Sequence, residues 1–142
     1  VRICEHHSLR KVAKIHNKIK NRRLDNLHKV STKVVKSHDY VVMETLKVHN
    51  LIKNRKLSKS IADVGWSMFV NMIEYKCERY GKEFVQIDQW FPSSQICSHC
   101  NHKDGKKALS IREWTCGNCG THHDRDINAA INIKNKGLEL IS

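Results

Sequence analysis

The stretch "ICSHCNHKDGKKALSIREWTCGNCGTHHDRDINAAINI", Ile96 to Ile133, holds two C-x-x-C pairs, then Asp124-Arg125-Asp126, then a helix-like run. Fifteen residues separate Cys97 and Cys100 from Cys116 and Cys119, the spacing of a four-cysteine zinc ribbon. Each pair sits on a tight turn that aims two sulfurs at one point. Four thiolates close a tetrahedral sphere with no position left for substrate, so the expected zinc is structural. Asn101 and Gly120 follow the pairs, and both residue types tolerate the positive φ such turns need. His99, His102, His122 and His123 offer alternative ligands; the competing reading, applied first to His99 and His102, is that they are surface residues or nucleic-acid contacts.

On the C-terminal side, Ala129, Ala130, Ile133 and Leu138 predict a helix packed closely on a neighbour through its alanines. Asp124 and Asp126 lie at its start and Gly137 near its end. On the N-terminal side, "FPSS" carries the only proline and breaks regular structure before the ribbon. "EFVQID", Glu83 to Asp88, alternates like a strand. Ahead of it, Ile61, Val64, Met68, Phe69, Met72, Ile73 and Tyr80 predict a helix, with Ser60 as N-cap and Gly81 as its stop.

"DYVVMETLKV", Asp39 to Val48, contains the continuous apolar run Tyr40 to Met43. Such a run predicts a strand covered on both sides, as in a sheet with helices packed on it. Glu44 stands at its carboxyl end, where sites collect in open α/β sheets. From Ser8 to Lys36, Leu9, Val12, Ile15, Ile19, Leu27, Val30 and Val34 recur at spacings dominated by three and four. That predicts an amphipathic helix, or a helical hairpin broken near residues 21 to 25.

The charge is lopsided. Residues 1 to 60 hold 16 Lys and Arg against 4 Asp and Glu, a balance of +12, whereas residues 61 to 142 hold 10 and 10. A basic half joined to a neutral half points to a nucleic-acid footprint, although a solvated helix face gives the same count. No apolar run approaches the roughly eighteen residues of a membrane span. With Val1 first and no secretory pattern, the chain is read as a soluble cytoplasmic protein and as a piece of a longer one. Six cysteines without an export signal argue against a disulfide framework.

Glu44 and Asp126 are the carboxylates best placed to share divalent ions. Two-metal phosphodiester hydrolysis needs hard oxygen ligands. The competing reading is a local ion pair for Glu44 and a helix cap for Asp126.

"VVMETLKV", "KLSKSIADVGWSMFVNMIEYKCERYGKEFVQIDQWFPSSQICSHC" and "REWTCGNCGTHHDRDINAAINI" together resemble the C-terminal half of the transposon-encoded OrfB (TnpB) proteins of bacterial insertion sequences. These are compact relatives of type V CRISPR effector nucleases. The resemblance implies an α/β fold: a partial RNase H/RuvC-like domain, its opening strands absent, with basic helices and an inserted four-cysteine zinc ribbon. It implies boundaries at 1–92 for the basic helices and partial core, 93–123 for the target-binding ribbon, and 124–142 for the last helix.

The same resemblance implies Glu44 and Asp126 as the second and third catalytic acids, holding Mg or Mn. Asp124 has a weaker claim. Cys97, Cys100, Cys116 and Cys119 match the zinc ligands. The implied activity is guide-RNA-directed cleavage of DNA, with DNA and guide RNA as partners. Lys47, Lys53, Arg55, Lys56, Arg112 and Arg125 are candidate phosphate contacts. The family's first catalytic aspartate has no counterpart here, and Glu5 is the only acidic residue among the first 24. The isolated chain is therefore expected to cleave little. The alternative is a non-catalytic zinc-ribbon protein that grips DNA or RNA without cutting, with steep salt dependence.

Overall fold

A computed structural model describes residues 2–46 and 65–141, with side chains from residue 8 onward. The chain divides into two compact units, one of residues 1–39 and 48–82, the other of 40–47 and 83–142.

The first unit is helical. Helix α1 runs unbroken over Arg2–Ser37, so the hairpin alternative does not apply. No Gly or Pro interrupts it, and 36 residues give a rod of about 54 Å. Helix α2 spans Trp66–Tyr80. Its N-cap is Gly65 at φ 61°, while the expected cap Ser60, with Ile61 and Val64, lies outside the described residues. Gly81, also at φ 61°, ends it as the sequence predicts.

Val70, Ile73 and Cys77 of α2 bury one stripe against α1, where Ser31 and Val35 are buried in turn. Lys76 is buried among them. Its ammonium donates to the His28 carbonyl at 2.8 Å, Ser31 Oγ at 2.6 Å and Thr32 Oγ1 at 2.8 Å. Three neutral oxygens replace water around the charge, and burial still pulls the lysine pKa below its usual value.

The second unit holds the two sheets. Strand β1, Tyr40–Glu44, pairs in parallel with β2, Glu83–Ile87, placing Glu44 opposite Ile87. Strand β3, Glu113–Thr115, pairs antiparallel with β4, His122–Asp124. Helix α3, Arg125–Glu139, follows β4 without a loop and packs on β1 and β2. The mixed architecture is that of the expected partial α/β core with its ribbon.

Two local expectations need correction. Strand β1 is half-buried rather than covered on both sides, because its sheet has two strands among the described residues. The close approach of α3 to β1 is made by Gly137, which lies directly on Val42; of the two alanines Ala129 is half-buried and Ala130 is exposed. A Cβ at 137 would overlap both methyl groups of Val42. Side chains alternate along a strand, so Glu44 shares the face of Val42 that α3 covers.

Candidate active site and metal centre

The four cysteine sulfurs lie within 4.8 Å of one another, one group of potential metal ligands among the described residues. Cys97 and Cys119 sulfurs are 3.7 Å apart, and Cys100 and Cys116 sulfurs 3.8 Å. A tetrahedral zinc with Zn–S bonds of about 2.3 Å has sulfur edges of about 3.8 Å, so the donor set fits that ion. The two turns are built alike. Asn101 N–H donates to the Cys97 carbonyl at 2.9 Å, and Gly120 N–H donates to the Cys116 carbonyl at 3.0 Å. Their φ values of 60° and 71° are the left-handed conformation the residue types predicted.

Burial pushes the Cys97 thiol up to about 11, while hydrogen bonding with Thr121 draws Cys119 down to about 5. Trp114 seals the cluster from one side, with the Lys107 ammonium 3.6 Å from its ring centroid. Asp104 holds that ammonium at 3.1 Å and accepts from Gly117 N–H at 3.2 Å, which keeps the carboxyl below the usual range.

The histidines divide. His99, His102 and His122 are exposed, as expected. His123 is buried instead, its Nε2 3.1 Å from Cys97 Sγ and its ring 4.8 Å from that of Trp114. Position 123 is the middle residue of β4 and points to the opposite face from its neighbours. It supports a metal ligand rather than meeting solvent.

The ribbon is tied to α3 by two buried asparagines. Asn128 accepts from Ser98 N–H at 2.9 Å and donates to the Ile96 carbonyl at 2.8 Å. Asn132 donates to the carbonyls of Ser93 at 2.8 Å and Ile96 at 2.7 Å. These residues were not singled out from sequence. Their spacing of four, inside an apolar helix stripe, was the available signal.

Glu44 and Asp126, remote in sequence, line one cleft of about 430 Å3. The turn from Gln89 to Gln95 forms one wall, and Arg125, Ala129 and Ile133 of α3 form another. Glu44 is half-buried at the end of β1, and desolvation raises its pKa. Asp124, not Asp126, caps α3: its Oδ1 accepts from the amides of Asp126 and Ile127, both at 2.9 Å. Asp126 is left exposed in the first turn, 3.3 Å from Arg112. Arg125 donates to the carbonyls of Ala108 at 3.1 Å and Ile111 at 3.5 Å, so part of its guanidinium is engaged within the protein. Lys47, Lys53, Arg55 and Lys56 lie outside the described residues.

Two family models match: "Cas12f1-like, TNB domain" over residues 66–133 and "Probable transposase" (OrfB_IS605) over residues 5–55. A candidate RNA-guided DNA endonuclease of Streptomyces pristinaespiralis is 53% identical over 91% of this chain and 32% of its own length. A similarly named protein of Escherichia coli, InsQ, is 33% identical over 94% of this chain and 37% of its own. The chain thus spans about a third of the curated relatives it matches. A Cas12f1 chain, solved by cryo-electron microscopy with its guide RNA and target DNA, shares the fold at a TM-score of 0.65 and 22% identity. The likeness covers 84% of this chain and 35% of that one. No described helix is long and apolar enough to cross a membrane. The two models together, and sequence matches over more than nine tenths of the chain, make it similar along most of its length to a part of the TnpB-like proteins, relatives of which are named as RNA-guided DNA endonucleases.

Proposed function

We propose that this chain forms the strand-cleaving and target-gripping part of an RNA-guided DNA endonuclease. The observation that carries the reading is the shared cleft of Glu44 and Asp126, beside a sulfur-closed ribbon. Glu44 and Asp126 are the acids that would hold Mg or Mn. The donors suit a hard cation, and Glu44 is a carboxylate whose burial penalises its charge until a cation relieves it. Such ions, when bound, activate water and stabilise the leaving oxygen.

Cys97, Cys100, Cys116 and Cys119 hold zinc, and residues 93–123 form the ribbon that grips the target. Residues 1–92 supply the basic helices and the partial core, and residues 124–142 the last helix. Arg112 lies 3.3 Å from Asp126 and would be free to meet phosphate were that carboxylate to hold a metal. Arg125 fixes the chain from Ala108 to Ile111 and offers its remaining donors to the strand. Lys47, Lys53, Arg55 and Lys56 add phosphate contacts. DNA and guide RNA are the partners.

The first catalytic aspartate that the resemblance implies has no counterpart in these 142 residues, so on its own this chain binds metal weakly and cleaves little. Metal binding is therefore the more telling assay. Manganese titrated into the zinc-loaded protein should broaden the NMR signals of Ala129 and Ile133. Glu44→Gln and Asp126→Asn should each abolish that broadening. Broadening that persists in both variants, or appears only elsewhere, overturns the assignment. Retained oligonucleotide binding would then support a zinc-ribbon protein that binds without cutting.

A further inference from the structure

The two ends of α3 are anchored differently. At the far end Gly137 lies on Val42 of β1. At the near end α3 follows β4 without a loop, so Asp124, the last residue of the strand, is also the helix cap. Arg125 N–H donates across that junction to the Arg112 carbonyl at 2.8 Å. Glu44 stands on the sheet side of the cleft, whereas Asp126 lies in the first turn of α3, on the ribbon side.

Asn128 and Asn132 complete the near anchor. They are 1% and 4% exposed, and their four hydrogen bonds all end on backbone groups of Ser93, Ile96 and Ser98. A buried amide without a partner is costly, so these bonds fix where the first turns of α3 stand against the first cysteine turn. That cysteine turn is ordered in its own right only by the cluster around it, whose apolar core is Trp114 and the cysteines themselves. A core so small depends on its ion.

We infer that zinc in the ribbon sets the geometry of the carboxylate cleft, with Asn128 as the positioning residue that carries its effect to Asp126. Without the ion the cysteine turn relaxes, and the Ile96 and Ser98 backbone groups leave Asn128. Asp124 departs with β4, and the amides of Asp126 and Ile127 lose the carboxylate that caps them. The first turn of α3 then frays, while the turn bearing Gly137 stays on Val42. Asp126 leaves Glu44, and a divalent ion meets one carboxylate instead of two. Zinc and the cleft ion thus occupy two sites coupled through one helix end. The inference rests on the proposed reading of Glu44 and Asp126 as metal ligands, and it adds the condition under which they meet.

The test uses the full chain, isotope-labelled, first with zinc and then stripped of zinc and freed of chelator. Stripping should return the Cα chemical shifts of residues 126–129 toward random coil and speed amide exchange there, with residues 133–137 still helical. The manganese Kd, read from the broadening of Ile133, should rise about tenfold. Zinc-loaded Asn128→Ala should show the same rise while it keeps one zinc per chain. A merely structural asparagine would lower the melting temperature and leave the manganese Kd of the folded protein at its wild-type value. Residues 126–129 that stay helical without zinc overturn the inference, as does melting of α3 along its whole length. An unchanged manganese Kd in folded Asn128→Ala also overturns it, and if that variant does not fold, the stripped wild type decides. Should manganese fail to sense Glu44 and Asp126 while residues 126–129 still melt on stripping, the zinc-dependent helix end would stand and the nuclease reading alone would fall.

Discussion

Asn128 spans the first cysteine turn, donating to the Ile96 carbonyl at 2.8 Å and accepting from Ser98 N–H at 2.9 Å. Cys97 thus sits between two backbone groups held by one side chain of α3, only two positions after Asp126. Asn128→Ala leaves the Ser98 N–H without its acceptor, while the Ile96 carbonyl keeps Asn132, and should cost about 1–2 kcal/mol in denaturant unfolding. Asn128→Asp keeps the acceptor, loses the donor and buries a charge. It should be worse at pH 7 than at pH 4.

Zinc loading should give one ion per chain by atomic emission. Each of Cys97→Ser, Cys100→Ser, Cys116→Ser and Cys119→Ser should abolish it, because a four-sulfur site has no spare ligand. Strong chelation should then erase the protection of amides in β3 and β4 while leaving α1 and α2 helical by circular dichroism. The ribbon core is Trp114 and the cysteines themselves, too small to stay folded without the ion.

Glu44→Gln should raise the melting temperature at pH 7 in the absence of divalent ions. The folded carboxyl has its pKa raised above 4.5 by desolvation, so the native state binds the proton more tightly than the unfolded chain. Its stability is therefore fullest below about 4.5 and declines as pH rises through the folded pKa. The gain from the variant should vanish at pH 4. A constant gain at both pH values would contradict the burial account.

Lys76 carries the opposite sign. Burial lowers its folded pKa below 10.5, so the native state gives up the proton first and stability should grow as pH rises toward that value. Lys76→Met should flatten this rise. At pH 7 it should be neutral or slightly stabilising, since the lowered pKa means that desolvation of the ammonium outweighs its hydrogen bonds. Ser31 and Thr32 keep their own bonds to the Leu27 and His28 carbonyls, at 2.6 and 2.7 Å.

Gly137→Ala should destabilise the protein by about 1–3 kcal/mol, although alanine favours helices by about 1 kcal/mol. The added methyl falls on Val42, a residue of the strand that ends in Glu44. Val42→Ala should rescue the variant in a double-mutant cycle.

Much of the local structure was legible in the residues. Gly81 and Asn101, with Gly120, marked backbone positions that only left-handed φ satisfies, and all three adopt it. The cysteine spacing specified the ribbon turns, the apolar run marked β1 and the alternation of Glu83 to Asp88 marked β2. These are short-range effects: a turn type, a strand or a helix end depends on atoms a few bonds away, which the chain order already states. Tertiary packing decided what those signals leave open. It seated His123 beneath Cys97, gave the cap of α3 to Asp124 and left Asp126 exposed, and made buried Asn128 and Asn132 the link between ribbon and helix. It also drew Glu44, Trp90 and Asp126 to one cleft. Such meetings depend on which surfaces exclude water from each other, and that follows from the shapes of whole elements rather than from the order of neighbouring residues.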